Sequence, residues 1–152
     1  MNRPAELRGL ARSLEINSYR TLKYLQLSIP VVGDNYDPLC GLSRELGFMA
    51  GNNILEELGL ESVVVGGACR TESEDWSTFD SILTKSGAFP ILRLVWVEIC
   101  WNSQAGTLRD LDNEVGMLRS FKEVKFPRLV ESKAVEFYLS TQFECHNTAL
   151  QN

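Results

Sequence analysis

One phrase recurs along this chain and constrains its fold more than any other feature. Leu22-Lys-Tyr-Leu25-Gln-Leu27, Leu55-Glu-Glu-Leu58-Gly-Leu60 and Leu92-Arg-Leu-Val95-Trp-Val97 all read apolar-x-x-apolar-x-apolar. A degenerate fourth copy is Ala134-Val-Glu-Phe137-Tyr-Leu139. Successive copies start 33, 37 and 42 residues apart. Self-similarity at such a period marks a repeat architecture. A single unit cannot bury its apolar face alone, so units stack into a shared core and function falls on a surface.

The segments between the phrases have helical periodicity. Residues 4–14 place Leu7, Leu10, Ala11 and Leu14 on one face, with Pro4 suited to the first turn. A strand over about 22–29 is expected to end against Pro30, and 31–38 reads as a loop. Residues 39–51 carry Leu39, Leu42, Leu46 and Met49 at helical spacing, with Phe48 beside them. A strand follows over about 55–65, then a polar, acidic loop over 68–75. Asp75 is the expected N-cap of a helix with Trp76, Phe79, Ile82 and Leu83 as its stripe, ended by Gly87. The third strand, about 92–101, is the most apolar. Thr107 caps a helix expected to reach about 122 through Leu108, Leu111, Val115, Leu118 and Phe121. The last strand covers about 134–141, and the polar tail from Gln142 is expected to fray.

Strands alternating with helices imply parallel pairing through right-handed crossovers. The expected fold is α/β: a single domain over residues 1–152, built as a leucine-rich-repeat-like solenoid. It has one parallel sheet of about four strands with helices on one side. No Gly-rich phosphate loop follows any strand, which weighs against a nucleotide-binding fold.

Charge and cysteine usage narrow the partners. The 152 residues include 15 basic and 20 acidic side chains, a formal charge of -5, and no basic run. Phosphate contacts need clustered Lys and Arg, so a nucleic-acid partner is not expected. No apolar stretch nears the ~18 residues of a membrane span. Cys40, Cys69, Cys100 and Cys145 stand far apart, with no Cys/His ligand spacing, so neither a metal nor another cofactor is expected. Cys100 reads as an ordinary core thiol. The start of the chain lacks an apolar signal core, which points to reduced thiols and an intracellular location, cytoplasmic or nuclear.

Three longer stretches resemble the leucine-rich-repeat region of fungal F-box and F-box-like proteins. They are Asn53-Ile-Leu-Glu-Glu-Leu-Gly-Leu60; the run from Trp76-Ser-Thr-Phe-Asp80-Ser-Ile-Leu83 through Phe89-Pro90-Ile-Leu92 to Val95-Trp-Val-Glu-Ile99; and Phe126-Pro-Arg-Leu129 with Lys133-Ala-Val-Glu-Phe137. Together they span most of residues 20–140. The F-box itself, a helical motif that docks a ubiquitin-ligase scaffold, is not visible. The strand phrases also lack the Asn that often follows in regular leucine-rich repeats. The resemblance implies a recognition surface.

Strand side chains alternate, so that surface can be read residue by residue. The second and third apolar positions of each phrase point into the core. Their neighbours form three columns on the open face: Tyr24, Glu57, Leu94, Glu136; then Gln26, Gly59, Trp96, Tyr138; then Ser28, Glu61, Glu98, Ser140. The candidate partner-binding residues are Tyr24, Glu57, Glu61, Trp96, Glu98, Glu136 and Tyr138. They give four carboxylates with no Lys or Arg among the columns, and three aromatic rings of the kind that anchor partners. The competing reading has Trp96 lying over Gly59 or under a neighbouring segment. Glu61 and Glu98 are either an anchor for a basic peptide or cation, or two solvated glutamates that splay apart.

No catalytic residue is assigned. His146, the only histidine, reads as a solvated tail residue, and Asp110, Asp112 and Glu114 as support for a helix start. A non-enzymatic interaction module for a polypeptide of basic character is the reading these residues favour. A small α/β hydrolase using a carboxylate pair is the alternative, although no Gly-x-Ser-x-Gly elbow is present. A truncated repeat fragment without independent function is another. The C-terminal strand edge is expected to support self-association.

Overall fold

Each copy of the phrase becomes a strand. The computed structural model describes residues 9–17, 21–32, 39, 41–65, 74–103 and 120–145. The strands β1 (Tyr24–Val32), β2 (Glu57–Val65), β3 (Leu94–Ser103) and β4 (Glu136–Cys145) form one sheet in the order β1-β2-β3-β4. All three pairings are parallel, and Leu25, Leu58, Val95 and Phe137 stand side by side. The register thus equals the spacing of the phrase along the chain. Ladder bonds begin one residue ahead of the strands: Glu56 N–H donates to Lys23 O at 2.8 Å, and Arg93 N–H to Glu56 O at 2.9 Å.

The helices are α1 (Leu10–Asn17), α2 (Leu42–Met49), α3 (Glu74–Thr84), α4 (Phe121–Lys125) and α5 (Pro127–Glu131). Leu42, Leu46 and Met49 of α2, Trp76, Phe79 and Leu83 of α3, and Phe121 and Leu129 share one core with Leu58, Leu60, Val95 and Val97. The fold is therefore α/β, one four-stranded parallel sheet with helices packed on one face. Leu25, Leu27, Phe137 and Leu139 lie on the outer strands and are only partly buried.

Several boundaries differ from expectation. β1 does not stop at Pro30 but runs to Val32. It is an edge strand, where a missing N–H need not break the ladder. The tail from Gln142 does not fray at once, because Gln142–Cys145 pair with Cys100–Ser103. The alternation Gln142-Phe143-Glu144-Cys145 is strand periodicity, which polarity alone conceals. Asp75 is not the N-cap; α3 already includes Glu74, and Asp75 sits in its first turn, where negative charge still favours the helix dipole. Gly87, at φ +75°, lies in the turn beyond Thr84 rather than at the helix end. Cys100 is only partly buried and shares the strand face of Trp96 and Glu98, because Ile99 takes the core side. Leu7, Leu118 and most of the helix expected from Thr107 lie outside the described residues. The segment ahead of β4 forms two short helices that break at Phe126, with Pro127 at the start of the second.

Buried polar groups tie neighbouring elements together. Glu45 of α2 accepts the N–H groups of Gly9 at 3.3 Å and Ala11 at 2.9 Å, satisfying donors at the start of α1. Asp80 of α3 does the same for α5, accepting Arg128 N–H at 3.1 Å and Leu129 N–H at 2.8 Å. Burial pushes the Asp80 carboxyl above its usual range, and these two N–H groups partly offset the push. The Asn53 side chain donates to Met49 O at 2.9 Å and Ala88 O at 2.8 Å, joining the turn after α2 to the turn after α3.

Ser62 is the exception. It is fully buried on the core side of β2, between Ile29 and Ile99 in the register, and among the described residues its hydroxyl has no hydrogen-bond partner. An unsatisfied buried hydroxyl carries its full desolvation cost. Ser62→Ala is therefore expected to raise unfolding stability by about 1 kcal/mol. Urea denaturation of the two proteins measures it, and a loss of stability would mean that the hydroxyl is bonded in solution.

Candidate partner-binding face

The face opposite the helices follows from the core. With Leu58, Leu60, Val95 and Val97 turned inward, Glu57, Gly59, Glu61, Leu94, Trp96 and Glu98 must turn outward. The register reproduces all three expected columns: Tyr24–Glu57–Leu94–Glu136, Gln26–Gly59–Trp96–Tyr138 and Ser28–Glu61–Glu98–Ser140. All seven candidate residues thus share one face. Tyr24 is 57% exposed and Tyr138 59%. Trp96, Glu57, Glu61 and Glu98 are intermediate, and Glu136 is exposed.

Trp96 packs across Gly59, and the absence of a side chain there is required. A Cβ on Gly59 would stand 2.2 Å from both Cε2 and Cζ2 of the indole and 2.7 Å from its Nε1. No real Cβ tolerates such contacts, so any larger residue displaces the ring. The ring still keeps part of its surface open in the middle of the sheet. On β4, the Tyr138 hydroxyl donates to Glu136 Oε2 at 3.3 Å, and the two side chains hold each other.

The electrostatics correct one expectation. The four carboxylates are not all unopposed. Arg93, just ahead of β3, reaches Glu57 Oε1 with Nη2 and lies 3.5 Å from Glu56 Oε2 through Nε. Lys23, just ahead of β1, pairs with Glu56 Oε1 at 3.0 Å. The hydrogen-bonded Lys23 ammonium, with Arg93 behind it, holds the Glu56 carboxyl below its usual range. Lys23–Glu56–Arg93 is thus a row of alternating charge along the N-terminal rim of the sheet. Sequence reasoning missed it because the columns stopped at strand positions. The signal was available: the second residue of each of the first three phrase copies reads Lys, Glu, Arg. The other carboxylates on the face are Glu61, Glu98 and Glu136.

His146, Asp110, Asp112 and Glu114 lie outside the described residues. Among the described residues, no three His, Cys, Asp or Glu side chains gather as a metal site, and no helix is long and apolar enough to cross a membrane. No protein-family model, curated protein or solved structure matches the chain.

Proposed function

We propose that the chain is a non-enzymatic, intracellular interaction module built as a leucine-rich-repeat-like solenoid, whose open sheet face holds a polypeptide of basic character. The observation that carries this reading is what the sheet face opposite the helices presents among the described residues: Trp96 seated across Gly59 at its centre, with exposed Tyr24 and Tyr138 and the carboxylates Glu61, Glu98 and Glu136 around it. Aromatic rings supply contact area at low entropic cost, and the carboxylates favour a cationic partner. The resemblance to the repeat region of fungal F-box-like proteins supports a substrate-recognition role of the same kind. Self-association through β4 belongs to the same proposal, since that strand has a neighbour on one side only among the described residues.

Selection of a random displayed peptide library on the folded chain tests the reading. The recovered peptides are expected to be rich in Lys and Arg and to lose affinity with salt. Trp96→Ala should weaken them by roughly tenfold or more, as truncation of a central anchor does. The thermal midpoint should move little, because the ring is not part of the core. Peptides that bind the Trp96→Ala, Tyr138→Ala double variant as well as the parent would sink the proposal.

A further inference from the structure

We propose that two copies of this chain join edge to edge through β4, antiparallel and about a two-fold axis at Tyr138, so that their two sheets become one and their aromatic residues form a single row. This inference rests on the self-association stated above and adds its edge, its direction and its register.

The edge comes first. Glu136 N–H donates to Arg93 O at 2.9 Å, so Glu136, Tyr138 and Ser140 turn their backbone groups towards β3. The alternate residues Phe137, Leu139 and Thr141 turn theirs outward. None of these is Pro or Lys, which blunt an edge against pairing. Phe137 and Leu139 are only partly buried. The helix layer adds apolar surface at the same end. Arg128 reaches back to Ser81 of α3 at 3.4 Å, and Val130, about 200° further round α5, is exposed on the side away from α3.

The other edge is less suited. Glu57 N–H donates to Lys23 O at 3.0 Å, so Tyr24, Gln26, Ser28 and Pro30 of β1 are the residues that face outward. Pro30 has no N–H to give. Stacking β1 of one copy on β4 of another would lose that bond and would build an open fibre. Pairing β4 with β4 is isologous and closes at two copies. Charge permits it: residues 121–142 carry four basic and three acidic side chains, in a chain with 15 and 20.

The side chains then select the register. With Tyr138 opposite its own copy, Phe137 meets Leu139 of the second copy on the core side, twice by symmetry. On the other face Glu136 meets Ser140. Apolar groups oppose apolar groups and no like charges oppose each other. An axis at Leu139 sets Phe137 against Thr141, and one at Ser140 sets Glu136 against Glu144. An axis at Phe137 overlaps only residues 136–138 of each strand.

The joined sheet has a consequence for recognition. Tyr138 lies beside Trp96 in the register. The row therefore runs Trp96, Tyr138, then Tyr138 and Trp96 of the second copy, across four strands. The two Trp96 platforms stand about 14 Å apart, the span of about four residues of extended chain. A segment with two anchors at that spacing engages both copies at once.

The test uses the full chain in sedimentation and in cysteine cross-linking under mild oxidation, with the linked peptides identified by mass spectrometry against the unsubstituted chain. A monomer–dimer equilibrium is expected. Y138C should link to itself, because that pair places its Cα atoms about 4.5 Å apart. S140C should not, with about 13 Å between copies along the strands. A mixture of E136C and S140C chains should cross-link. S140K should tighten the dimer about fivefold by facing Glu136, and E136K/S140K should undo the gain. Both positions are exposed, so the thermal transition of the monomer reports their folding separately. Oligomers that grow without limit, or a dimer in which Y138C does not link and S140K changes nothing, would overturn this geometry while leaving self-association standing. A chain that stays monomeric at every concentration would remove both, and the peptide selection described above would still decide the basic-polypeptide reading.

Discussion

Replacing Phe126 by alanine is expected to destabilise the fold by about 3–5 kcal/mol, the largest effect of any single truncation proposed for this chain. Phe126 is fully buried. Its ring meets Trp76 at 5.8 Å, Phe79 at 6.2 Å and Phe121 at 5.7 Å, each edge-to-face, and Phe137 at 5.0 Å in a tilted arrangement. Edge-to-face pairs contribute about 0.5–1.5 kcal/mol beyond the area they bury. The residue is also the joint between α4 and α5: its N–H donates to Lys122 O at 3.0 Å, and its carbonyl accepts Val130 N–H at 2.9 Å. Through its ring and its backbone, one residue therefore connects α3, both short helices and β4. Alanine leaves a cavity bounded by rigid rings, which cannot collapse to fill it. Phe126→Leu should lose less, because it keeps most of the volume. Equilibrium urea unfolding of both variants measures the difference. A loss below 1 kcal/mol for the alanine variant would mean that the four rings do not pack around it.

The parts of this fold that were legible in the sequence are those governed by period. Alternation within each phrase fixed which side chains of β2 and β3 turn inward, and the spacing between phrases fixed the register, so the columns at Gly59 and Trp96 were readable before any coordinates. Period says less about lengths and about long side chains. Gln142–Cys145 extend β4 because pairing with β3 satisfies their backbone, a tertiary effect that their polarity hides. Arg93 lies outside its strand, yet its side chain reaches across to Glu57 and alters the charge of the face. Glu45 and Asp80 are buried, and nothing in helical periodicity separates a solvated carboxylate from one that caps the start of another helix. Phe126-Pro127 falls between the helix expected to reach about 122 and the strand expected from about 134, where periodicity assigns no element. Pro127 instead opens α5, which suits a residue with fixed φ and no N–H to satisfy.

Leu58→Ala is expected to cost about 2–4 kcal/mol, and Val97→Ala somewhat less, since valine loses fewer atoms. Both side chains are essentially inaccessible and lie on the two inner strands, beneath the helices. Leu25→Ala removes as many atoms as Leu58→Ala, but Leu25 stands on the outer strand β1 and is only partly buried. Its truncation leaves a dent that solvent fills rather than a closed cavity, so the expected cost is about half that of Leu58. Leu139→Ala on β4 should behave like Leu25→Ala, because it holds the equivalent place on the opposite edge. The informative result is the ordering rather than any single value. One-sided burial across a sheet of four strands requires the inner pair to exceed the outer pair at matched chemistry. Chemical denaturation of the set, with unchanged denaturant slopes, reads that ordering directly. Equal losses at Leu25 and Leu58 would place a covering element over β1. A negligible loss at Leu58 would mean that the strand is turned by one residue, which would send Gly59 and the Trp96 platform into the core and remove the proposed face altogether.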